Sequence, residues 1–272
     1  MKTHFYIPPP PLGLFVDHFF YYVDHQPEHA VDRFLPDGEV QLIFDLTDTP
    51  KYRYHNKTLQ PVQICRKVWF SGFRTEPITI PSGLDSEMVI VQFKKGKAFP
   101  FLKETMPALT NIVADAETVM DPELLFLRES LLDPQDPQQK FVLLEQQLLK
   151  RYLSHFKETP FVDFAVSTIL ATPQQCSIQT LSNKVGYSQK HLIQLFRNQV
   201  GVTPKTFLKV IRFQKAIQQL AQQQDIDWLA VAHDCGFYDQ AHFIADFKHF
   251  SGFTPSEYLH LRNDMLNYVP VK

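Results

Sequence analysis

An α+β chain is predicted, with a β-rich front domain, a helical segment behind it and an all-helical tail built from two helix-turn-helix units. Three observations carry this. Helical periodicity punctuated by glycine turns dominates the last third of the 272 residues. That pattern occurs twice. The front third instead shows short Val-, Ile- and Phe-rich runs separated by Gly, Pro, Asn and Asp, as in a sandwich or small barrel.

Taken in order, Pro8 to Pro11 reads as a stiff extended arm. Leu14, Phe15, Phe19, Phe20 and Tyr22 form an aromatic helical or strand segment that belongs to a core. Arg33-Phe34-Leu35 and Val40 to Leu46 flank the turn chemistry Pro36-Asp37-Gly38-Glu39. Further strands are expected at 62–64, 68–73, 78–80 and 88–93. A barrel mouth can hold a small molecule. The candidate pocket residues are the aromatics Phe44, Tyr52, Tyr54, Trp69, Phe70 and Phe73. Taken singly, each is more simply a core filler.

Asp121-Pro122 is an N-cap and N1 pair for a helix over 124–132. Asp133-Pro134-Gln135-Asp136-Pro137 breaks it. A second helix, 138–156, repeats Phe141, Leu144, Leu148 and Tyr152, with Val142, Leu149 and Leu153 beside them. Two uses of this stripe stay open: packing on the β domain, or pairing with a second copy of the chain. Thr159-Pro160 starts a third helix over 161–170.

The tail is the most legible region. Ser188 is the expected cap of a helix with Leu192, Leu195 and Phe196 facing inward. A joining helix, 204–222, has Phe207, Leu208, Ile211, Ala216, Ile217 and Leu220 on its apolar face. Asp227 caps a short helix to Cys235, and Gly236 supplies the turn. The next helix starts near Tyr238 or Asp239 and buries Phe243, Phe247 and Phe250. Gly252 ends it, and Thr254-Pro255 opens another. Ile178, Leu181, Ser182 and Gly186 match Trp228, Val231, Ala232 and Gly236 at an offset of 50 residues. Past the turn Leu192, Phe196, Gly201, Thr203 and Pro204 match Phe243, Phe247, Gly252, Thr254 and Pro255 at an offset of 51.

Hydrophobic residues are 44% of the chain and charged residues 21%, an ordinary globular balance. No apolar run approaches a membrane span, and Met1 to Tyr6 lacks a signal-peptide core, so a cytoplasmic location is expected. Cys65, Cys176 and Cys235 are widely spaced and read as buried thiols rather than a zinc site or disulfide framework. His4, His18, His25, His29 and His55 lack metal-ligand spacing, and no nucleophile elbow, P-loop or dinucleotide fingerprint occurs. No cofactor, metal or enzymatic activity is therefore expected. Net charge is -2, but residues from Pro173 onward carry 10 Lys and Arg against 7 Asp and Glu. That leaves +3 on the tail and -5 before it, a distribution suited to nucleic-acid binding by the tail.

The residues Gly186-Tyr187-Ser188, Leu192, Phe196, Gly201-Val202-Thr203-Pro204, Phe207-Leu208, Arg212, Ala216, Gly236-Phe237, Asp239-Gln240, His242-Phe243, Phe247-Lys248 and 252–258 resemble the AraC/XylS family of bacterial transcription regulators. Arg33-Phe34-Leu35-Pro36-Asp37-Gly38 resembles the effector-domain region of one subgroup of that family. The resemblance implies a cupin-like β-barrel over 1–105, a helical linker or dimerisation segment over 106–157 and a DNA-binding domain over 158–272. The two units would lie near 177–199 and 227–250.

It also implies that Lys190, Ile193 and Gln194 face bases, with Gln189 and Arg197 on the same exposed face. In the second unit Asp239, Gln240, Ala241, His242, Ala245 and Lys248 occupy the equivalent face. Gln can pair with adenine, Lys with guanine, and Ala can touch a thymine methyl. The second face lacks arginine, so the first helix is expected to carry more sequence information and the second more positioning. Arg212 is expected to pair internally or cap carbonyls. Expected partners are double-stranded DNA, a small-molecule effector, RNA polymerase and a second copy of the chain. Two rivals remain at this point: a constitutive DNA binder whose front domain serves only dimerisation or protein contact, and an enzyme with a DNA-binding tail.

Overall fold

Alternation with a period of two builds the front of the molecule. A computed structural model of the chain describes residues 1–156, 159–222 and 226–271. Its strands are β1 (Lys2–Tyr6), β2 (Val16–Val23), β3 (Val31–Phe34), β4 (Val40–Asp45), β5 (Lys51–Tyr54), β6 (Pro61–Cys65), β7 (Val68–Ser71), β8 (Ile78–Pro81), β9 (Met88–Phe93) and β10 (Val113–Asp115). A last strand, β11 (Tyr268–Val271), comes from the far end of the described chain. The strands form a six-stranded sheet, β1-β2-β9-β4-β7-β10, and a five-stranded sheet, β11-β3-β8-β5-β6.

The sheets do not close into the expected barrel. Where the edges of β6 and β10 meet, the link is a side-chain hydrogen bond, Gln63 Nε2 to the Val113 carbonyl at 2.8 Å, and no strand ladder forms. The segment 14–22 resolves into strand β2, which turns Phe19 and Tyr21 to one side and His18, Phe20 and Tyr22 to the other. Four strands escaped the sequence reading, among them β10, which pairs antiparallel with β7. β1 runs antiparallel along β2 ahead of the proline arm. β5 is a polar four-residue strand, Lys-Tyr-Arg-Tyr. β11 pairs antiparallel with β3, Val269 opposite Arg33.

Behind the six-stranded sheet lie α1 (Ala116–Val119), α2 (Leu124–Ser130) and α3 (Pro137–Tyr152). Helix α2 begins at Leu124 as expected, but Asp121 accepts the Glu123 amide in a turn at 2.9 Å and does not cap it. Asp136 caps α3, accepting from the Gln138 amide. The α3 stripe Phe141, Leu144, Leu148 and Tyr152 is buried in the core, with Phe141 stacked on Tyr6 of β1 at 5.8 Å. The stripe therefore covers this chain's own sheet. Val142 and Leu153, beside it, are exposed.

The tail contains α4 (Pro160–Ala171), α5 (Ile178–Val185), α6 (Gln189–Val200), α7 (Pro204–Gln222), α8 (Trp228–Asp234), α9 (Gln240–Ser251) and α10 (Pro255–Leu261). The expected domain boundary near residue 158 lies outside the described residues. Strands β10 and β11 both extend the sheets beyond the 1–105 segment.

One continuous apolar core joins front and tail. It includes Phe70 and Phe93 of the sheet, Leu144 of α3, Phe207 of α7 and Phe247 of α9. Polar contacts fix the same junction. Thr110 Oγ1 donates to the Gly201 carbonyl at 3.0 Å, and Lys97 pairs with Asp163 at 2.6 Å. The segment Arg33 to Gly38 also lies here: the Arg33 guanidinium sits 4.8 Å from the Phe253 ring centre, and the Pro36 carbonyl accepts from Gln214 at 2.7 Å.

Candidate nucleic-acid interface and ligand cavity

Each recognition helix is set by a polar cap before it and an apolar face beneath it. In the first unit Ser177 caps α5, accepting from the Thr180 amide at 3.1 Å. Ser188 caps α6, accepting from the His191 amide at 3.3 Å. Leu192, Phe196 and Val200 are buried. The opposite face leaves Gln189, Lys190, Gln194 and Arg197 exposed, with Ile193 half-buried at its edge. Lys190, Gln194 and Arg197 follow one stripe of the helix at i, i+4 and i+7.

In the second unit Asp227 accepts from the Leu229 and Ala230 amides at 2.9 and 3.1 Å. Gly236 takes φ of +83°, and a Cβ there would stand 2.7 Å from Gln174 Cα, so both conformation and contact require glycine. Gln240, Ala241, Ala245 and Lys248 are exposed along α9. Asp239 is exposed and His242 half-buried at the start of the same helix, and both also make contacts within the fold. Asp239 caps α9, accepting from the His242 amide at 2.7 Å. The His242 ring meets Phe237 edge-on, with Nε2 3.2 Å from Asp246, which also pairs with Lys209 of α7 at 2.9 Å. Tyr238, next to the cap, is 92% exposed and was missed, because the extra turn residue breaks the alignment of the two units there.

Helix α7 holds the two units in one frame. Arg212 Nε donates to the Pro173 carbonyl at 3.0 Å, so it caps a carbonyl. Lys215 donates to the Asp234 carbonyl at the end of α8 at 2.6 Å. Gln214 donates both to the Pro36 carbonyl and, at 2.9 Å, to Asn267 Oδ1, which ties the joining helix to the front domain and to the segment entering β11.

Between the two sheets lies a cavity of about 420 Å³. Strand parity decides which candidate pocket residues reach it. Trp69 and Tyr52 line it, as do Ile43, Phe20, Met88 and Ile90. Phe44 and Phe70 sit one residue out of phase with Ile43 and Trp69, so they turn to the helical side and fill the main core. Phe73, beyond β7, packs with its ring centre 5.8 Å from that of Phe207 of α7. Tyr54 lines a separate pocket of about 180 Å³. The polar lining of the large cavity includes Lys51, Glu39 and Asp37, with Gln41 donating to Gln92 at 2.9 Å. Asp37 faces the cavity and is half-buried. Burial, then the charge of Glu39, push its carboxyl up to about 7.

Met265, Asn267 and Tyr268, from the segment behind the second helix-turn-helix unit, also form part of the cavity wall. Sequence periodicity could not supply them, because their strand has its partner in the front sheet. Cys65 lines the cavity too, but burial raises its thiol to about 11, so it stays protonated at neutral pH. Cys176 and Cys235 are likewise buried free thiols, each raised by burial. Among the described residues, no group of three or more His, Cys, Asp or Glu is placed to hold a metal ion. No described helix is long and apolar enough to cross a membrane.

Residues 181–260 match the family described as a helix-turn-helix domain, and residues 4–115 match a domain of unknown function, DUF6597. A search of curated proteins found no match. Among solved structures, ToxT from Vibrio cholerae O395 bound to (E)-4-(8-methylnaphthalen-1-yl)but-3-enoic acid is 11% identical, with a TM-score of 0.48. That similarity covers 89% of this chain and 98% of that one. Unsaturated fatty acid bound ToxT from Vibrio cholerae strain SCE256 is 12% identical, with a TM-score of 0.45, over 89% of this chain and 94% of that one. A transcriptional regulator of Chromobacterium violaceum, from the AraC-type DNA-binding domain-containing proteins, is 26% identical over 39% of this chain and 95% of its own, with a TM-score of 0.36. Residues 181–260 of this chain, in which the two units are joined by α7, fold as the helix-turn-helix domain that this family match describes.

Proposed function

We propose that the chain is a transcription regulator that reads duplex DNA with α6 and α9 and is modulated by a small molecule held between the sheets. The reading is supported by the duplicated unit, whose exposed faces both follow a capped helix. Lys190, Gln194 and, at the edge, Ile193 are the base readers of the first unit, with Gln189 and Arg197 toward the backbone. Gln240, Ala241 and Ala245 are the readers of the second, with Lys248 on a phosphate. Asp239 and His242 support α9 by their contacts within the fold. The protein acts in the cytoplasm, and RNA polymerase is its natural partner at a promoter.

One observation carries the modulation. The wall of the cavity is completed by Met265, Asn267 and Tyr268, and Gln214 of the joining helix holds Asn267. A ligand touching that wall biases the position of β11, and β11 leads back through α10 to the second unit. An open cavity also argues against a front domain that serves only dimerisation.

The test is selection of genomic fragments by the full-length protein at physiological salt. Two short boxes about one helical turn apart, roughly 34 Å, are expected. Selection of no motif by the full-length chain would overturn the reading.

A further inference from the structure

Two guanidinium groups in the front domain are drawn from solvent and, among the described residues, form no salt bridge, although the charge of Asp37 reaches Arg74. Arg74, just beyond β7, is only 3% exposed. Arg53 lies on β5 and is half-buried. Both line the pocket of about 180 Å³, and the Nε of each is buried without a hydrogen-bond partner. Among the described residues, the side chain of Arg74 donates one long hydrogen bond, Nη2 to Ser71 Oγ at 3.4 Å, and that of Arg53 donates none. Neither forms an ion pair there. Burial, then the charge of Arg53, lower the pKa of Arg74 to about 10.

The two amide side chains of this pocket are already engaged. Asn56 donates to the Pro77 carbonyl and accepts from Thr79, both at 2.8 Å. Asn111 accepts from the Thr75 amide at 2.7 Å and donates to Thr75 Oγ1 at 2.8 Å. Glu76 stands exposed at the rim and pairs with neither arginine. Two other buried cations of this region are held by carbonyls. Arg128 donates to the Asp45 and Thr47 carbonyls at 2.8 and 2.9 Å, and Lys140 to the Leu131 carbonyl at 2.6 Å. Arg33 and Arg151 also leave a buried Nε without a hydrogen bond, but Arg33 donates to the Asn56 carbonyl and Arg151 to Gln147 and Glu123, whereas Arg53 and Arg74 keep nearly all their donors unused.

We infer that Arg53 and Arg74 form a binding site for the oxyanion of a small molecule, a carboxylate or phosphate, whose apolar body lies in the larger cavity. The guanidinium fork matches the paired oxygens of either group, and two neighbouring cations with no salt-bridge partner among the described residues favour an incoming anion. Arg53 and Ile78 line both the small pocket and the large cavity, so the two spaces meet there. An anion held by the arginines directs its apolar part toward Tyr52, Trp69 and Ile43. The inference rests on the ligand-modulated reading and gives the ligand a chemical class.

The full-length protein is titrated with phenylacetate, phenyl phosphate and the neutral phenylacetamide, by calorimetry and by thermal unfolding. At least one anion is expected to bind at least tenfold more tightly than the amide, and which one does so identifies the head group. Arg53→Gln and Arg74→Met are expected to weaken that anion at least tenfold. Arg74→Met is also expected to unfold at the wild-type temperature or above when no probe is present, since it removes an uncompensated buried charge. Should Arg74→Met not fold, Arg53→Lys carries the test: it keeps the charge, loses the fork, and is expected to weaken the anion likewise.

Equal binding of the amide, anion binding that survives the Arg53 variants, or no binding of either anion overturns the site. Those results leave the regulator reading standing, because wild-type DNA selection is measured without probes. Failure of that selection overturns the regulator reading whichever probe binds.

Discussion

Lys190 and Gln194 point away from the core on a helix whose other face is fully committed to Leu192, Phe196 and Val200. Removing both side chains is therefore expected to leave the fold intact and to take away the proposed base contacts, worth about 1–3 kcal/mol each when bidentate. The Lys190→Ala, Gln194→Ala double variant is expected to lose at least tenfold in specific DNA affinity, with an unchanged unfolding temperature; a gel-shift titration and a thermal melt check both. His242 gives the opposite pattern. Its ring lies against Phe237 and beside Asp246. His242→Ala is expected to lower the unfolding temperature and to keep the selected motif.

Asp37 has a signed dependence on pH. Its folded carboxyl holds a proton up to about 7, against an ordinary value of 3.8. Between those values the folded chain binds more protons than the unfolded one, so this group makes stability fall as pH rises through that window. Asp37→Asn removes the effect. Relative to wild type, it is expected to raise the unfolding temperature at pH 8 and to change it little at pH 4, as melts at the two pH values will show.

At the scale of elements, the tail was legible because its signals are local. Asp227, Ser188, Asp239 and Thr254 each cap the helix that follows, and Thr254 forms a reciprocal capping box with Glu257. Each cap and the apolar face beneath it lie within a few residues of one another. The sheets were legible only where a strand is apolar enough to stand out. Strand β4, with Leu42, Ile43 and Phe44, announces itself; β5, with Lys51 and Arg53, does not. The choice between Phe44 and Ile43 as cavity residue depends on which sheet face meets the second sheet, and composition does not carry that. The arginine pair was invisible for the same reason: β5 and the end of β7 meet only once the sheets have formed. Strand β11 is the extreme case, since its pairing partner lies at residues 31–34. Val269 is fully buried there. Val269→Asp puts an unpaired charge in that site and is expected to release the strand. Hydrogen exchange should then rise at the amides of β3 and β11, while α6 keeps its protection.

Over the whole molecule, charge is divided: the tail from Pro173 is slightly basic and the rest acidic. The attraction to phosphate is thus modest, and measured affinity is expected to fall as salt rises, with a slope that becomes shallower by about one in Lys248→Ala if this side chain meets a phosphate. A titration of operator binding from low to physiological salt reads that slope directly.

The pairing of β3 with β11 also orders events during synthesis. Translation delivers the front sheet first, and β3 then has an open edge until nearly all of the described chain has followed it. Open edges invite pairing with other chains. A ribosome stalled within the tail therefore leaves a front domain whose binding cavity lacks one wall and whose edge is sticky. Quality control meets such a product as an aggregation hazard, even though most of its own strands are in place.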